Sequence, residues 1–150
     1  MADQTIIANM AASSVQPRDI VAGVQSVISV YSLSRTLSAS DKIYMCKIPD
    51  GARVLGVNLQ FNVNPFADAG VVNVGTPADA TKFIMSVTPS AGLLFSINSP
   101  NGLGYLNDIS DSAAQRFTYV QVSVSTAMTG TQSGAISLVV TYQMDQPNVT

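Results

Sequence analysis

The stretch Leu55-Gly56-Val57-Asn58-Leu59-Gln60-Phe61-Asn62-Val63 decides the fold class of this chain. Every second residue is apolar, and glycine or an uncharged polar residue fills each position between. Successive side chains of a β-strand point to opposite faces, so this alternation predicts a half-buried strand with one face toward water. Two further segments, 116–126 and 135–143, repeat the pattern. Their expected inner rows are Val120, Val122 and Val124 in the first, and Ile136, Leu138, Val140 and Tyr142 in the second. The expected solvent-facing row of the first is Gln121, Ser123 and Ser125.

Weaker alternation elsewhere raises the number of expected strands to about eight. The additional candidates are 26–33, 42–48, 70–75, 81–87 and 92–97. Turn residues separate them; Pro49-Asp50-Gly51, for example, places proline at its preferred φ and glycine where φ is positive. Short strands at this rhythm are typical of a β-sandwich or a small barrel. We predict an all-β, single-domain antiparallel β-sandwich with an extended N-terminal arm.

The beginning of the chain differs from the rest and divides it into an extended N-terminal arm, 1–24, and a β-sandwich domain, 25–150. The arm segment mixes Ala, Ser and Gln with isolated Ile and Val residues. A frayed terminus is one interpretation, and an arm that lies on a neighbouring subunit is the other. Disordered tails are usually poor in β-branched residues, which favours the arm. Its candidate partner-binding residues are Ile6, Ile7, Ile20 and Val21.

Composition excludes most catalytic chemistry. The 150 residues contain no histidine and no glutamate, and Cys46 is the only cysteine. Disulfides within the chain, thiolate or imidazole zinc sites, Ser-His or Cys-His catalysis and glutamate-based glycosidase pairs are therefore excluded. We expect a protein that is not an enzyme and has no catalytic residues, no cofactor and no metal.

Three places offer chemically interesting side chains, and a structural role is favoured at each. Asn107, Asp108 and Asp111 offer oxygen ligands for calcium, but their spacing is not that of an EF-hand, and such residues routinely cap turns. Asp79 is expected to begin a turn by binding backbone amides. Cys46 is expected to be a small core residue rather than a reactive thiol.

Charge and hydropathy indicate what the chain contacts. Charged residues make up 11 % of the chain, with a net charge of −2, whereas ordinary chains have roughly 25 %. The seven basic residues are spread out and form no phosphate-binding stripe, so no nucleic-acid partner is expected. No long apolar run and no basic signal segment is visible, so we expect no membrane partner and synthesis in a reducing cytoplasm. A mean hydropathy of +0.29 with so few charges predicts an assembled state.

Two phrases carry a resemblance to a known group of proteins. The first is Lys47-Ile48-Pro49-Asp50-Gly51-Ala52-Arg53-Val54-Leu55, and the second is Val72-Asn73-Val74-Gly75-Thr76-Pro77-Ala78-Asp79-Ala80-Thr81-Lys82-Phe83-Ile84. Together they resemble small β-rich structural proteins of tailed bacteriophages. In those proteins an Ile-Pro-x-Gly-Ala-Arg-Val turn precedes a long alternating strand, and a Val-x-Val-Gly strand is followed by a loop that holds Asp before an aromatic residue. The resemblance covers about residues 42–85.

The resemblance implies a capsid decoration (cement) protein. Such proteins sit on the capsid exterior, bridge neighbouring subunits of the major capsid protein, and are often jelly-roll sandwiches that assemble as trimers or dimers. It therefore implies a virion protein made in the host cytoplasm, with the major capsid protein as a partner and a homotrimer, or alternatively a dimer, of this chain. The alternative is a tail- or fibre-associated β-sandwich module that binds a host-surface glycan through exposed tyrosines.

Overall fold

The computed structural model describes residues 5–7 (backbone only), 24–34, 37–61, 70–89, 94–108, 117–126 and 134–144. These residues form nine β-strands. The strands are β1 (Thr5–Ile7), β2 (Val24–Leu33), β3 (Lys42–Pro49), β4 (Ala52–Phe61), β5 (Val71–Gly75), β6 (Ile84–Val87), β7 (Leu94–Ser96), β8 (Phe117–Thr126) and β9 (Gly134–Met144). All eight strands expected from the alternation are present. The described part of the chain contains no helix long and apolar enough to cross a membrane.

The strands build two sheets, ordered β2-β9-β4-β7 and β1-β3-β8-β5-β6. Neighbouring strands are antiparallel except for β1, which runs parallel to β3. From β2 to β9 the chain passes repeatedly between the sheets, so that β2, β4, β7 and β9 lie in one and β3, β5, β6 and β8 in the other. This order contains the two Greek keys of a jelly roll. The predicted single-domain, jelly-roll-like β-sandwich is confirmed.

The hydrophobic core lies between the two sheets and is formed by their inward rows. The inner residues predicted for β8 and β9 are all buried. Cys46 is also buried among them, and its burial raises the pKa of the thiol to about 12. The thiol is therefore protonated at neutral pH and unreactive, which confirms its prediction as a small core residue.

A β-bulge in β4 breaks the alternation that first indicated the fold. The pairing of β4 with β9 shifts between Val54 and Gly56, so that Leu55 faces outward while Val54 and Val57 are both buried. The prediction that Leu55 begins the inner row was wrong. A bulge inserts one extra residue opposite the partner strand, and an alternating sequence gives no sign of where that residue is. A second bulge lies in β3.

The turn between β3 and β4 is a corner that carries the chain from one sheet to the other. Gly51 has a φ of +85° there, as the turn motif predicted. The buried Asn107 fixes the corner, because its Nδ2 donates to the carbonyl oxygens of Ile48 at 3.2 Å and Pro49 at 2.9 Å. Its Oδ1 accepts a 2.8 Å hydrogen bond from the hydroxyl of Thr118.

Candidate interaction face

The outer face of the β2-β9-β4-β7 sheet, called the open face below, is almost free of charge. Outward residues of the four strands lie side by side, so that Ile28, Val139, Asn58 and Ser96 form one continuous row. Arg53 is the only charged residue in the four strands. The other outward residues include Val24, Ser26, Val30 and Ser32 of β2, Ser137, Thr141 and Gln143 of β9, Gly56 and Gln60 of β4, and Leu94 of β7.

Large apolar side chains on the open face are exposed to water. The exposed fraction is 62 % for Ile28, 51 % for Val30, 57 % for Val24 and 59 % for Leu94. Together with Leu55, these are five of the eight large apolar residues exposed in the described part of the chain. Single exposed apolar residues are ordinary, whereas several on one face mark a site of interaction.

The polar side chains of the open face are partly satisfied within it. The hydroxyls of Ser26 and Thr141 lie 3.1 Å apart, and the Ser96 hydroxyl donates to Asn58 Oδ1 at 3.0 Å. A partner that covered the face would leave these hydrogen bonds intact. Covering it would therefore remove apolar surface from water without stranding these polar groups.

A cleft of about 320 Å³ opens where β4 and β7 meet the loop after β7. The bulge in β4 turns Leu55 into the cleft wall, and Leu103, 70 % exposed, lines it as well. The lining residues are Leu55, Gly56, Val57, Asn58, Ser96, Ile97 and Leu103. None of them titrates, so the cleft offers an apolar surface for shape-complementary contact and no acid–base chemistry.

The outer face of the second sheet is already shielded from water within the single chain. Gln121 is only 1 % exposed, and Ser123 and Asn73, opposite each other in neighbouring strands, are also buried. Gln121 Oε1 and Ser123 Oγ have no hydrogen-bond partner among the described residues. The prediction that Gln121 and Ser123 face solvent was wrong, because the outer side of the sheet is covered at these two residues. Part of the cover is the turn after β5, which folds back over Gly75 beside Gln121.

Aromatic side chains on the shielded sheet pack on each other instead of forming a platform. The rings of Tyr44 and Tyr119 stack with centroids 4.4 Å apart, and Phe117 meets Tyr119 edge-on at 5.2 Å. Lys47 Nζ lies 4.6 Å above the Phe117 ring. All five tyrosines of the chain are described, and each is buried or half-buried. The cluster of exposed tyrosines required by the glycan-binding alternative is therefore not formed within a single chain.

Asp79 holds a turn together, as its position in the sequence predicted. Its Oδ1 accepts hydrogen bonds of 3.1 Å from both the backbone N–H and the hydroxyl of Thr81, and Lys82 Nζ lies 3.5 Å from Oδ2. The hydrogen bond from the Thr81 backbone, supported by the Thr81 hydroxyl and by Lys82, holds the pKa of Asp79 below its usual value. A carboxylate that stays ionised and bound to its own turn is a structural group.

Of the three candidate calcium ligands, the structure describes Asn107 and Asp108. The amide of Asn107 is engaged at the corner between the sheets, Asp108 is exposed, and Asp111 lies outside the described residues. No three His, Cys, Asp or Glu side chains within the described ranges are placed to hold a metal ion. Asn107 therefore acts as a structural residue that pins the corner.

The structure describes two of the four candidate residues in the arm. Ile6 and Ile7 lie in β1, opposite Ile43 and Tyr44 of β3 in the same chain. Ile20 and Val21 lie outside the described residues. The boundary of the arm and its contact with a neighbouring subunit remain predictions.

No protein-family model and no curated protein matches this chain. Among solved structures, it is similar to a chain of the cyanophage Pam1 capsid asymmetric unit, with a TM-score of 0.66 and 24 % identity over 89 % of this chain and 98 % of that one. It is also similar to a chain of the Ralstonia phage GP4 capsid, with a TM-score of 0.76 and 15 % identity over 95 % of this chain and 99 % of that one. At these identities the similarity establishes a shared fold.

The open face was not among the predicted sites, although the sequence of β2 contains a signal for it. Its sequence, VQSVISVYSL, has apolar residues at both parities and no charge. Ile28 and Val30 face outward while Leu33 faces the core. Antiparallel strands with one face in water normally alternate between apolar and polar residues. A strand that is apolar on both sides, yet exposed on one, indicates a face that another molecule covers.

Proposed function

We propose that this chain is a structural protein of a phage virion. In this proposal it decorates the capsid exterior and stabilises the shell by bridging neighbouring subunits of the major capsid protein. The open face carries the proposal, because it is a broad, nearly uncharged sheet surface with Ile28, Val30 and Leu94 exposed. When another protein covers such a surface, apolar area leaves water and the free energy of the system falls.

The energetics favour attachment through many modest contacts. Complete burial of one aliphatic side chain contributes about 1.5–3 kcal/mol, and the side chains of the open face are already partly covered. Each docking site is therefore weak by itself. A decoration protein that assembles with copies of itself engages several shell subunits at once, and the linked contacts hold far more firmly than any one of them.

The fold comparisons support the same proposal. The two chains come from structures of phage capsids, and the structural similarity covers 98 % of the Pam1 chain and 99 % of the GP4 chain. Jelly rolls occur widely in viral shells and also in lectins, so the fold alone does not decide the function. A surface without titratable groups favours the structural role over a catalytic one.

Substitution at the open face tests this proposal. Leu94→Asp places a charge on the edge strand β7, and we expect the variant to fold because the side chain is 59 % exposed. Met85→Asp is the matched control, since Met85 is also exposed but belongs to β6 in the other sheet. Each purified protein is mixed with shells of the encoding phage that lack this chain, and its occupancy is measured by quantitative mass spectrometry of the sedimented shells.

We expect Leu94→Asp to lower shell occupancy at least tenfold at limiting protein, which corresponds to about 1.4 kcal/mol, while Met85→Asp binds like the parent. Equal binding of both variants would show that the open face is not the docking surface. If the folded parent chain does not bind shells but binds a host glycan on an array, the glycan-binding alternative replaces the capsid role.

A further inference from the structure

The four edges of the two sheets are protected to very different degrees. A free edge strand exposes unpaired N–H and C=O groups, and proteins usually defend such edges with short strands, charges, proline or bulges. In the shielded sheet, β1 and β6 are the edge strands, with three and four residues. In the other sheet the edges are the three-residue β7 and the ten-residue β2.

The edge of β6 is closed by a side chain. Asn98 Oδ1 accepts a 2.6 Å hydrogen bond from the backbone N–H of Met85, and Asn98 Nδ2 donates to the Met85 carbonyl oxygen at 3.0 Å. The amide thus occupies backbone groups that a further strand would use. Ser86 adds a φ of +52° and donates its N–H to Asn73 Oδ1, which interrupts the strand.

The edge of β2 has none of these protections. Its ten residues include no charge, proline or glycine, and they pair with β9 in one unbroken register without a bulge. Among the described residues, β9 is the only strand that pairs with β2. In an antiparallel pair, alternate residues direct their backbone groups away from the partner strand, so half of β2 directs these groups toward a side on which no described strand lies. The added partner must therefore be a strand.

We propose that β2 pairs antiparallel with β2 of a second copy of this chain about a two-fold axis. The pairing joins two four-stranded sheets into one eight-stranded sheet and makes the two open faces continuous. It does not depend on the capsid role. A two-fold contact of this kind is closed, so it produces a dimer, the state that the sequence analysis gave as the alternative to a trimer.

The side chains select the register of this pairing. Residues that face each other must lie on the same side of the joined sheet, so the axis passes through a residue rather than between two. An axis at Ser29 places Ile28 opposite Val30 of the second copy, and Val27 opposite Tyr31 of the second copy. An axis at Ile28 would instead place Val30 opposite Ser26. Apolar and aromatic cross-strand pairs stabilise a sheet, and the absence of charge removes like-charge repulsion across the axis, so Ser29 is the favoured centre.

Disulfide trapping tests both the dimer and its register. In the double variant Ile28→Cys/Val30→Cys, the thiol introduced at position 28 of one copy faces the thiol introduced at position 30 of the other copy. Mild oxidation then yields a covalent dimer on a non-reducing gel. The two thiols of one chain lie two residues apart on a strand and cannot bridge without backbone movement. The native Cys46 is buried and takes no part. Met85→Cys, on the closed β6 edge, is the matched control.

We expect the double variant to form the dimer, and Ile28→Cys alone and Met85→Cys to remain largely monomeric. In the unmodified chain, sedimentation velocity should show a concentration-dependent dimer that Val30→Lys abolishes while its circular dichroism stays unchanged. A folded double variant that stays monomeric would overturn the proposal. Equal trapping of Met85→Cys would overturn it too, and efficient trapping of Ile28→Cys alone would overturn the register.

Discussion

Gly75 ends β5 and lies directly beneath the turn that follows this strand. The turn is held by reciprocal backbone hydrogen bonds, from Thr76 N to Asp79 O at 2.9 Å and from Asp79 N to Thr76 O at 3.1 Å. This arrangement brings the Asp79 carbonyl oxygen against the Gly75 backbone. A Cβ atom at Gly75 would meet that oxygen and would lie 2.5 Å from the carbonyl oxygen of Ala80. The residue is therefore glycine because of a close approach of backbone to backbone.

Gly75→Ala is expected to destabilise the protein by about 1–3 kcal/mol, since the obstructing atoms are backbone and the turn must shift to make room. Gly56→Ala is the matched control, because it also lies in a strand but nothing stands within 4 Å of its Cβ position. We expect Gly56→Ala to change stability by no more than about 0.5 kcal/mol. Chemical denaturation followed by circular dichroism measures both values. Equal stabilities for the two variants would contradict the close approach.

At the scale of elements, β1 joins the sandwich through backbone pairing at one edge of a sheet. It is a three-residue strand that pairs in parallel with the first residues of β3. Among the residues whose side chains the structure describes, the buried core extends from Leu33 to Met144. The contact of this arm with a neighbouring subunit stays a prediction.

Deletion of residues 1–20 is expected to weaken attachment to capsid shells several-fold while the sandwich still folds. The expected melting temperature lies within a few degrees of the parent value, because the deletion keeps every buried core residue that the structure describes. Deletion of residues 1–4 leaves β1 in place and is the control. Shell occupancy and thermal unfolding are measured for both. Full attachment after the longer deletion would show that the arm has no role in docking.

The strands of this fold could be predicted from the sequence because the alternation of each inward row lies within one short, continuous segment. The row Ile136, Leu138, Val140 and Tyr142 is apolar at every second position, and all four are buried. The bulge at Leu55 could not be predicted, since it depends on pairing with β9, far away along the chain. The burial of Gln121 could not be predicted either, because uncharged polar residues occur both on sheet faces in water and on covered ones.

At the scale of the whole molecule, the two outer faces of the sandwich differ in their exposure to water. One holds the aromatic stack of Tyr44 and Tyr119 and is shielded within the chain. The other, the open face, is exposed. This difference could not be predicted from alternation, because strand order decides which rows lie side by side, and strand order leaves little trace in one sequence. The low charge content predicts an assembled state, and that state stays a prediction.

The lack of charge on the open face predicts how attachment responds to salt. Raising sodium chloride from 0.1 M to 1 M shortens the screening length from about 10 Å to about 3 Å and weakens exposed ion pairs. Apolar contacts are not screened, and sulfate salts strengthen them because they are excluded from protein surfaces. Arg53 is the only charged residue in the four strands, and its Nη1 donates a hydrogen bond to the Gly104 carbonyl oxygen. We therefore expect shell occupancy to be unchanged in 1 M sodium chloride and raised in ammonium sulfate. Quantitative mass spectrometry of washed particles measures the copies that remain. A steep loss of occupancy in sodium chloride would assign the attachment to ion pairs elsewhere on the molecule, because apolar contacts of a nearly uncharged sheet face are not screened by salt.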